Sequence, residues 1–321
     1  MQDCIAVRRP FVLPCPREIA DAGTASSNRT EAMARHQEGA PARQDMEDMA
    51  DMEDAADAQA PAEAGADRHF VTALARGLEV LRCFPGGDSF LANHEIAERC
   101  GLPKSTVTRL TYTLTRLGYL HLVPESGKYR LGTATAALGS TMLADLDVRQ
   151  VARPLMQRLA TETDAVVALA TRDRLSMLYL ECARGGSIVT LSLGVGSRIP
   201  LATTAAGRAH LAGLPPAGRA ELMERVRALD EAAWPALERG IDLAVEECQA
   251  TGCASSLGDW MQEVHAVAMP FSPGHGLPMM ALSVAGAAQY FPAARLLGEV
   301  RAKLVETVRE IGRGLGQRVS A

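Results

Sequence analysis

"CGLPKSTVTRLTYTLTRLGYL", residues Cys100 to Leu120, decides how this chain is read. At about 100° per residue, residues 103–117 gather Val107, Leu110, Leu114 and Leu117 on one side, the stripe a helix buries. The opposite side collects Ser105, Thr108, Arg109, Tyr112 and Arg116, with Lys104 and Thr106 near the helix start. No acidic residue occurs between Glu98 and Glu125, so this is not the mixed Glu and Lys face of an ordinary solvated helix. Gly101 supplies a sharp turn. Pro103 suits the first helical position, where its fixed φ and missing N–H cost nothing.

Working outward, Val71, Leu74, Leu78 and Leu81 recur at helical spacing from Phe70, and "FPGGD" ends that helix. A shorter helix is expected over Asn93–Cys100, with Ile96 and Ala97 inward. After Gly118, "YLHLV" and "KYRLG" alternate apolar and polar side chains around the turn "PESG", which predicts a hairpin. Helix, helix, turn, helix and a two-stranded wing make the winged form of the helix-turn-helix unit. The major groove of DNA admits one such helix. Arg109 has the bidentate reach for guanine, while Ser105 and Thr108 bond either base type or, through the Thr methyl, pack on thymine. Tyr112 belongs to the same reading face, and Lys104, Thr106, Arg116, Lys128 and Arg130 are assigned to phosphates, which fix register without reading sequence.

The charge distribution agrees with that placement. The 321-residue chain carries a formal net charge of −5, yet residues 68–132 hold five acidic and nine basic side chains. Residues 1–67 hold fourteen acidic and six basic ones and lack apolar periodicity, so an acidic, disordered extension is expected there, with Met46, Met49 and Met52 as alternative starts. Apolar residues at 47% and charged ones at 22% describe a globular chain long enough for two domains. Seven cysteines at irregular spacing fit a reduced, cytoplasmic setting. The stretch "PFVLPCP" is too broken for a signal peptide. No window approaches the ~20 apolar residues that span a bilayer, so no membrane partner is expected.

Beyond the wing, residues 133–149 predict a linker helix with Ala137, Leu138, Met142, Leu143 and Leu146 inward, followed by a helix over Val151–Thr163. "AVVALATR", "SMLYLECA" and "SIVTLSLG" are strand-like runs. A Gly-rich loop then enters a helix near Thr203, two further helices cover Arg219–Leu229 and Ala236–Ala250, "EVHAVAMPF" and "PMMALSVAG" predict strands, and a long helix closes the chain from Pro292. The expected fold class is α+β: a winged helix-turn-helix at 68–132, the linker helix at 133–149 and an α/β sensor-like domain at 150–321.

From Phe70 to about Leu315 the chain resembles the IclR family of bacterial transcription regulators. The matching pieces are "LARGLEVLRCF", "EIAERCGLPKSTVTRLTYTLTRLGYL", "YRLG", "PLATTAAGRAHLAGL" and "VAMPF" followed by "ALSVAG". The resemblance implies a GAF-like effector domain, homodimers or tetramers on a palindromic double-stranded DNA operator, and a small organic-acid effector; the expected function is a regulator that represses more than it activates. It places Gly194, Gly196, Pro200, Thr203, Thr204 and Ala205 on one side of the effector, and Asp259, His265 and Ser283 on the other. A helix N-terminus with free N–H groups suits an anion. Arg198 and Arg208 are further candidates to clamp a carboxylate, although Arg208 also reads as a surface residue. This chain departs from the family pattern at Glu263, Ala266 and Ala285, where a glycine, a cysteine and a polar residue are common. Those changes leave a less polar wall, suited to an effector with an apolar or aromatic body.

Rival chemistry is poorly supported. "GDSF" at 87–90 resembles the nucleophile block of one esterase family, but a serine nucleophile there should follow a strand, not lie between two helices. Gly194-x-Gly196 lacks the third glycine and the acid of a dinucleotide site. Cys248 and Cys253 have no second ligand pair for zinc, and with Cys182 and His265 they read as core residues. No catalytic residue, metal or cofactor is expected. The remaining alternative is a metabolite-sensing module that contacts a protein instead of DNA.

Overall fold

The computed structural model describes residues 69–84, 90–186, 193–274 and 276–316. The acidic stretch 1–67, most of "GDSF" and most of the strand expected at 187–194 lie outside the described residues. Three helices, α1 (Thr72–Arg82), α2 (Asn93–Arg99) and α3 (Lys104–Arg116), precede a hairpin of β1 (Leu120–Val123) and β2 (Lys128–Leu131). Val80, Phe84, Leu91, Ile96, Ala97, Val107 and Leu120 form one small core that holds the helices and wing together. Gly101 turns the chain at φ 59°, a left-handed conformation that other residues enter at a cost.

The structure amends several local expectations. Pro103 precedes α3 instead of opening it, with ψ 137° and its carbonyl accepting from the Val107 N–H at 3.1 Å. Leu117 is 61% exposed, and Thr111 takes its share of the buried side. The Thr111 hydroxyl donates within its own helix to the Val107 carbonyl at 3.0 Å and lies 3.2 Å from Asn93 Oδ1, which fastens α3 to the start of α2. The periodic residues Val71, just before α1, and Leu74 and Leu78 within it are exposed, leaving Gly77 and Val80 as the buried pair of the helix.

The linker helix is also shorter than the expected 133–149. It runs as α4 (Thr133–Ala144), breaks at Asp145 and Leu146, and a new helix, α5 (Asp147–Thr163), begins. Of the five residues expected inward only Leu146 is buried; Ala137, Leu138 and Met142 are exposed, and α4 has no buried residue.

The second half is a six-stranded antiparallel sheet in the order β5 (Arg198–Pro200), β4 (Ser176–Arg184), β3 (Val166–Asp173), β8 (Met280–Ala287), β7 (Val264–Phe271) and β6 (Ala254–Leu257), the last a strand the sequence reading omitted. Alternation along the strands sends large and small side chains to opposite faces. Val167, Leu169, Val267, Leu282 and Val284 pack under α5 and the C-terminal helix, which comprises α9 (Ala293–Arg295), a π-helical turn (Leu296–Val300) and α10 (Arg301–Gly314). Ala168, Ala170, Ala268 and Ala281 line the other face, under α6 (Ala205–Gly213), α7 (Pro216–Leu229) and α8 (Trp234–Thr251). The small residues let α6 lie close to the sheet. Gly207 in its first turn is tighter still, since a Cβ there would sit 2.0 Å from the Leu201 carbonyl oxygen. On the opposite face, buried Glu181 of β4 pairs with Arg149 at 2.9 Å and Arg153 at 3.2 Å and fixes α5 to the sheet. The protein is thus α+β, with an N-terminal winged helix-turn-helix, a linker helix and a C-terminal GAF-like domain.

Candidate functional site

The DNA-reading candidates stand on one rigid helix. Lys104, Ser105, Thr108, Arg109, Tyr112 and Arg116 are exposed, and Thr106 is half-buried. Among the described residues, Lys104, Arg109, Tyr112 and Arg116 make no protein hydrogen bond or ion pair. The Thr108 hydroxyl donates back to the Lys104 carbonyl at 2.9 Å and accepts from Asn93 Nδ2 at 3.4 Å, which leaves its methyl for an outside partner. On the wing, Arg130 is exposed. Lys128 is drawn to Glu95 at 3.3 Å, and the same carboxylate accepts from the Ala92 N–H at 2.6 Å, so Lys128 braces the wing against the start of α2. Sequence reasoning missed this brace because the two residues lie 33 positions apart.

The effector candidates divide between two faces of the sheet. Gly194 and Gly196 form a tight turn, with the Gly194 N–H donating to Ser197 Oγ at 2.9 Å and Gly196 at φ 88°. Pro200 ends β5, and its carbonyl accepts from the Thr204 hydroxyl at 2.6 Å, which in turn accepts from the Gly207 N–H at 3.2 Å. Thr204 is therefore the N-cap of α6, its hydroxyl already satisfied, and Ala205 is buried behind it. Thr203 differs: its Oγ1 is buried with no partner in the described structure. Ser283 projects from the same alanine-rich face, beside Tyr179. Full burial pushes the Tyr179 phenol well above its usual range, which keeps it a neutral hydrogen-bonding group.

Two expectations fail here. His265 alternates with Ala266 and Ala268 and so lies on the opposite face, where its Nδ1 sits 2.8 Å from the Phe291 carbonyl oxygen; it is not on the side with Thr203 and Ser283. Arg208 is neither a surface residue nor a free clamp. Its guanidinium is buried, donates to the Ala202 carbonyl at 3.0 Å and to Asp259 at 2.7 Å, and lies against Gly240, where a Cβ would come within 2.5 Å. Asp259 is thereby spent on Arg208 and on the Leu257 N–H at 3.3 Å. Arg198 is also engaged, by Asp173. One buried group escaped notice in the sequence: His210 of α6 is 4% exposed, neither ring nitrogen has a partner among the described residues, and burial beside the Arg172 charge pushes its pKa down to about 4.

A winged helix-turn-helix whose polar ridge is unclaimed by the other described residues, carried with an α/β domain of sensor type, defines a DNA-binding regulator. The comparisons agree: residues 73–124 match the IclR helix-turn-helix domain and residues 140–313 the bacterial transcriptional regulator IclR C-terminal domain. The chain belongs to the IclR family of transcriptional regulators, and its relatives are regulators rather than enzymes. It is 34% identical over 244 residues to the HTH-type transcriptional regulator TsaQ1/TsaQ2 of Comamonas testosteroni, covering 75% of this chain and 87% of that one. It is similar to an IclR family regulator structure from Brucella abortus, at 41% identity and TM-score 0.74 over 81% and 98% of the two chains. An IclR homolog from Microbacterium hydrocarbonoxydans, solved in complex with 4-hydroxybenzoate, matches at 25% identity and TM-score 0.59 over 76% and 99%. No helix among the described residues is long and apolar enough to cross a membrane.

Proposed function

We propose that the protein is an effector-responsive repressor in which α3 enters the major groove of an operator and a small carboxylic or aromatic acid, bound in the sensor domain, shifts its affinity. The carrying observation is the unpaired ridge of Lys104, Ser105, Arg109, Tyr112 and Arg116. Such groups lose nothing in the folded protein when they turn to bases and phosphates. Occupying a promoter requires no further surface, which favours repression. The effector is assigned to the space between the 193–204 loop, the start of α6 and the alanine-rich face. There the orphaned Thr203 hydroxyl and Ser283 supply polar contacts, the helix N-terminus favours an anion, and the alanines accept an apolar body. The relative solved with 4-hydroxybenzoate supports that ligand class.

A homodimer is supported by apolar side chains of α1 and α4 that no described residue covers. Leu74 and Leu78 of α1 are 62% and 52% exposed, and Leu138 of α4 is 61% exposed. An isolated 12-residue helix is marginal in water, so α4 is assigned to a partner copy. The domains are taken as 68–132, a linker of 133–144 and the remainder, with coupling through α4. Fluorescence anisotropy with fragments of the protein's own promoter tests the proposal. Binding should weaken as log salt rises, in proportion to the phosphates contacted, and should respond to small aromatic acids. A protein that ignores all duplexes at low salt is instead a sensor for a protein partner.

A further inference from the structure

The DNA-reading unit holds two thiols with no role in the proposed contacts. Cys83 follows the last residue of α1 and Cys100 the last residue of α2, 17 positions apart in sequence and both reduced. They pack against the same small core, close enough for each to perturb the other's ionisation. Arg99 strengthens the junction, its guanidinium donating to the Cys83 carbonyl at 2.9 Å. The Cys83 thiol also has the Val80 carbonyl within reach at 3.1 Å. Each cysteine is only half-buried.

We propose that Cys83 and Cys100 are a peroxide-oxidised pair, and that their disulfide weakens operator binding by displacing the turn that aims α3. The DNA consequence rests on the function proposed above; the oxidation site does not. Cys100 is placed as the attacking sulfur because the Cys83 thiol donates to the Val80 carbonyl at 3.1 Å, which favours its neutral form. The neighbouring Cys83 sulfur holds the Cys100 pKa below the ordinary thiol range, aided by Arg99, whereas the paired sulfur and burial push Cys83 up. Glu79 is the nearby opposing charge. By contrast burial raises Cys182, Cys248 and Cys253, the last to about 12, which makes them poor nucleophiles.

The chemistry balances with hydrogen peroxide as the oxidant. The Cys100 thiolate attacks one peroxide oxygen, the O–O bond breaks, and the departing hydroxide takes a proton, leaving a sulfenic acid and one water. The Cys83 sulfur then displaces that hydroxyl, forming the S–S bond and, with the thiol proton, a second water. Two thiols are oxidised by two electrons and one peroxide becomes two waters. A disulfide holds its sulfurs about 2.05 Å apart, closer than any non-bonded contact, so the ends of α1 and α2 must draw together. Cys100 is followed by only Gly101, Leu102 and Pro103 before α3, and the Leu102 N–H is held by the Ala97 carbonyl at 3.0 Å, so movement of α2 passes to α3.

The full-length protein, treated with hydrogen peroxide, alkylated and digested, should yield a linked Cys83–Cys100 peptide that dithiothreitol releases. Its operator affinity should fall by at least about fivefold, the least that loss of one bidentate base contact would produce. Cys83→Ser and Cys100→Ser, each checked for an unchanged circular dichroism melt, should both lose the peptide and the peroxide effect. A missing linked peptide in folded wild-type protein overturns the oxidation site, whatever the DNA result. A linked peptide with unchanged affinity, or a peroxide effect that survives both substitutions, overturns the regulatory consequence. Cys4 and Cys15 lie outside the described residues, and peptide mapping separates any pairing of theirs.

Discussion

The reading helix and the sensor face spend their polar groups in opposite ways. On α3 the long cations are exposed, with no partner among the described residues. On the sensor domain the charged candidates are already engaged, Arg208 with Asp259 and Arg198 with Asp173, and the neutral Thr204 hydroxyl is held by Pro200 and Gly207. A surface built to meet DNA keeps its donors hydrated and available, because the partner supplies the opposite charge. A buried site cannot, since an unpaired buried charge is expensive, and only neutral groups such as Thr203, Tyr179 and His210 are left for a guest or for strain.

That contrast is most sharply tested at Arg208. If its ion pair is structural, Arg208→Ala should destabilise the folded chain by about 3 kcal/mol, the low end for breaking a buried pair because Asp259 remains half in water. A denaturant titration measures this, and a loss confined to effector response with unchanged stability would return Arg208 to the ligand. Next in size is the proton linkage of His210. Its pKa is about 4 in the folded chain, against about 6.5 when unfolded. The unfolded chain therefore binds more protons between those values, and stability falls as pH drops through 6.5 toward 4. The shift corresponds to about 3 kcal/mol at its full extent. His210→Leu should flatten that part of the stability curve and leave it unchanged above pH 7.

On the other side of the comparison, Arg109→Ala should cost about 1–3 kcal/mol of operator affinity with little change in thermal stability, as anisotropy and melting together would show. A stability loss would mean the ridge is not free. The smallest effect is expected at Arg82 of α1, whose guanidinium reaches Asp173 of the sensor domain at 2.7 and 2.8 Å. Both side chains are about one-third exposed, and Arg82→Ala should alter stability by under about 1 kcal/mol. A larger change would show that the two regions are coupled through this carboxylate, which Arg198 of the loop-side strand shares.

Much of the architecture was legible because it is local. The α3 helix, Gly101 before it and the "PESG" hairpin each depend on neighbours a few positions away, and each formed, although Thr111 took the buried place expected for Leu117. Resemblance supplied the sensor domain and its loop. What failed was orientation. The apolar residues of α1 and α4 have the same periodicity whether they meet their own core or a second copy, so Leu74, Leu78 and Leu138 were placed on a helical face with no means of telling what lies beyond it. His265 went to the wrong face because one residue of strand register decides the side.

The order of residues along this chain by itself determined a reading helix, a wing and a basic surface, since helix and turn preferences are settled within a few residues. Only folding decided which charges are free: Asp259 meets Arg208 across 51 positions, Lys128 meets Glu95 across 33, and Cys83 meets Cys100 across 17. Whether a group is available for function depends on what approaches it in space, and that is a property of packing between segments rather than of any one segment.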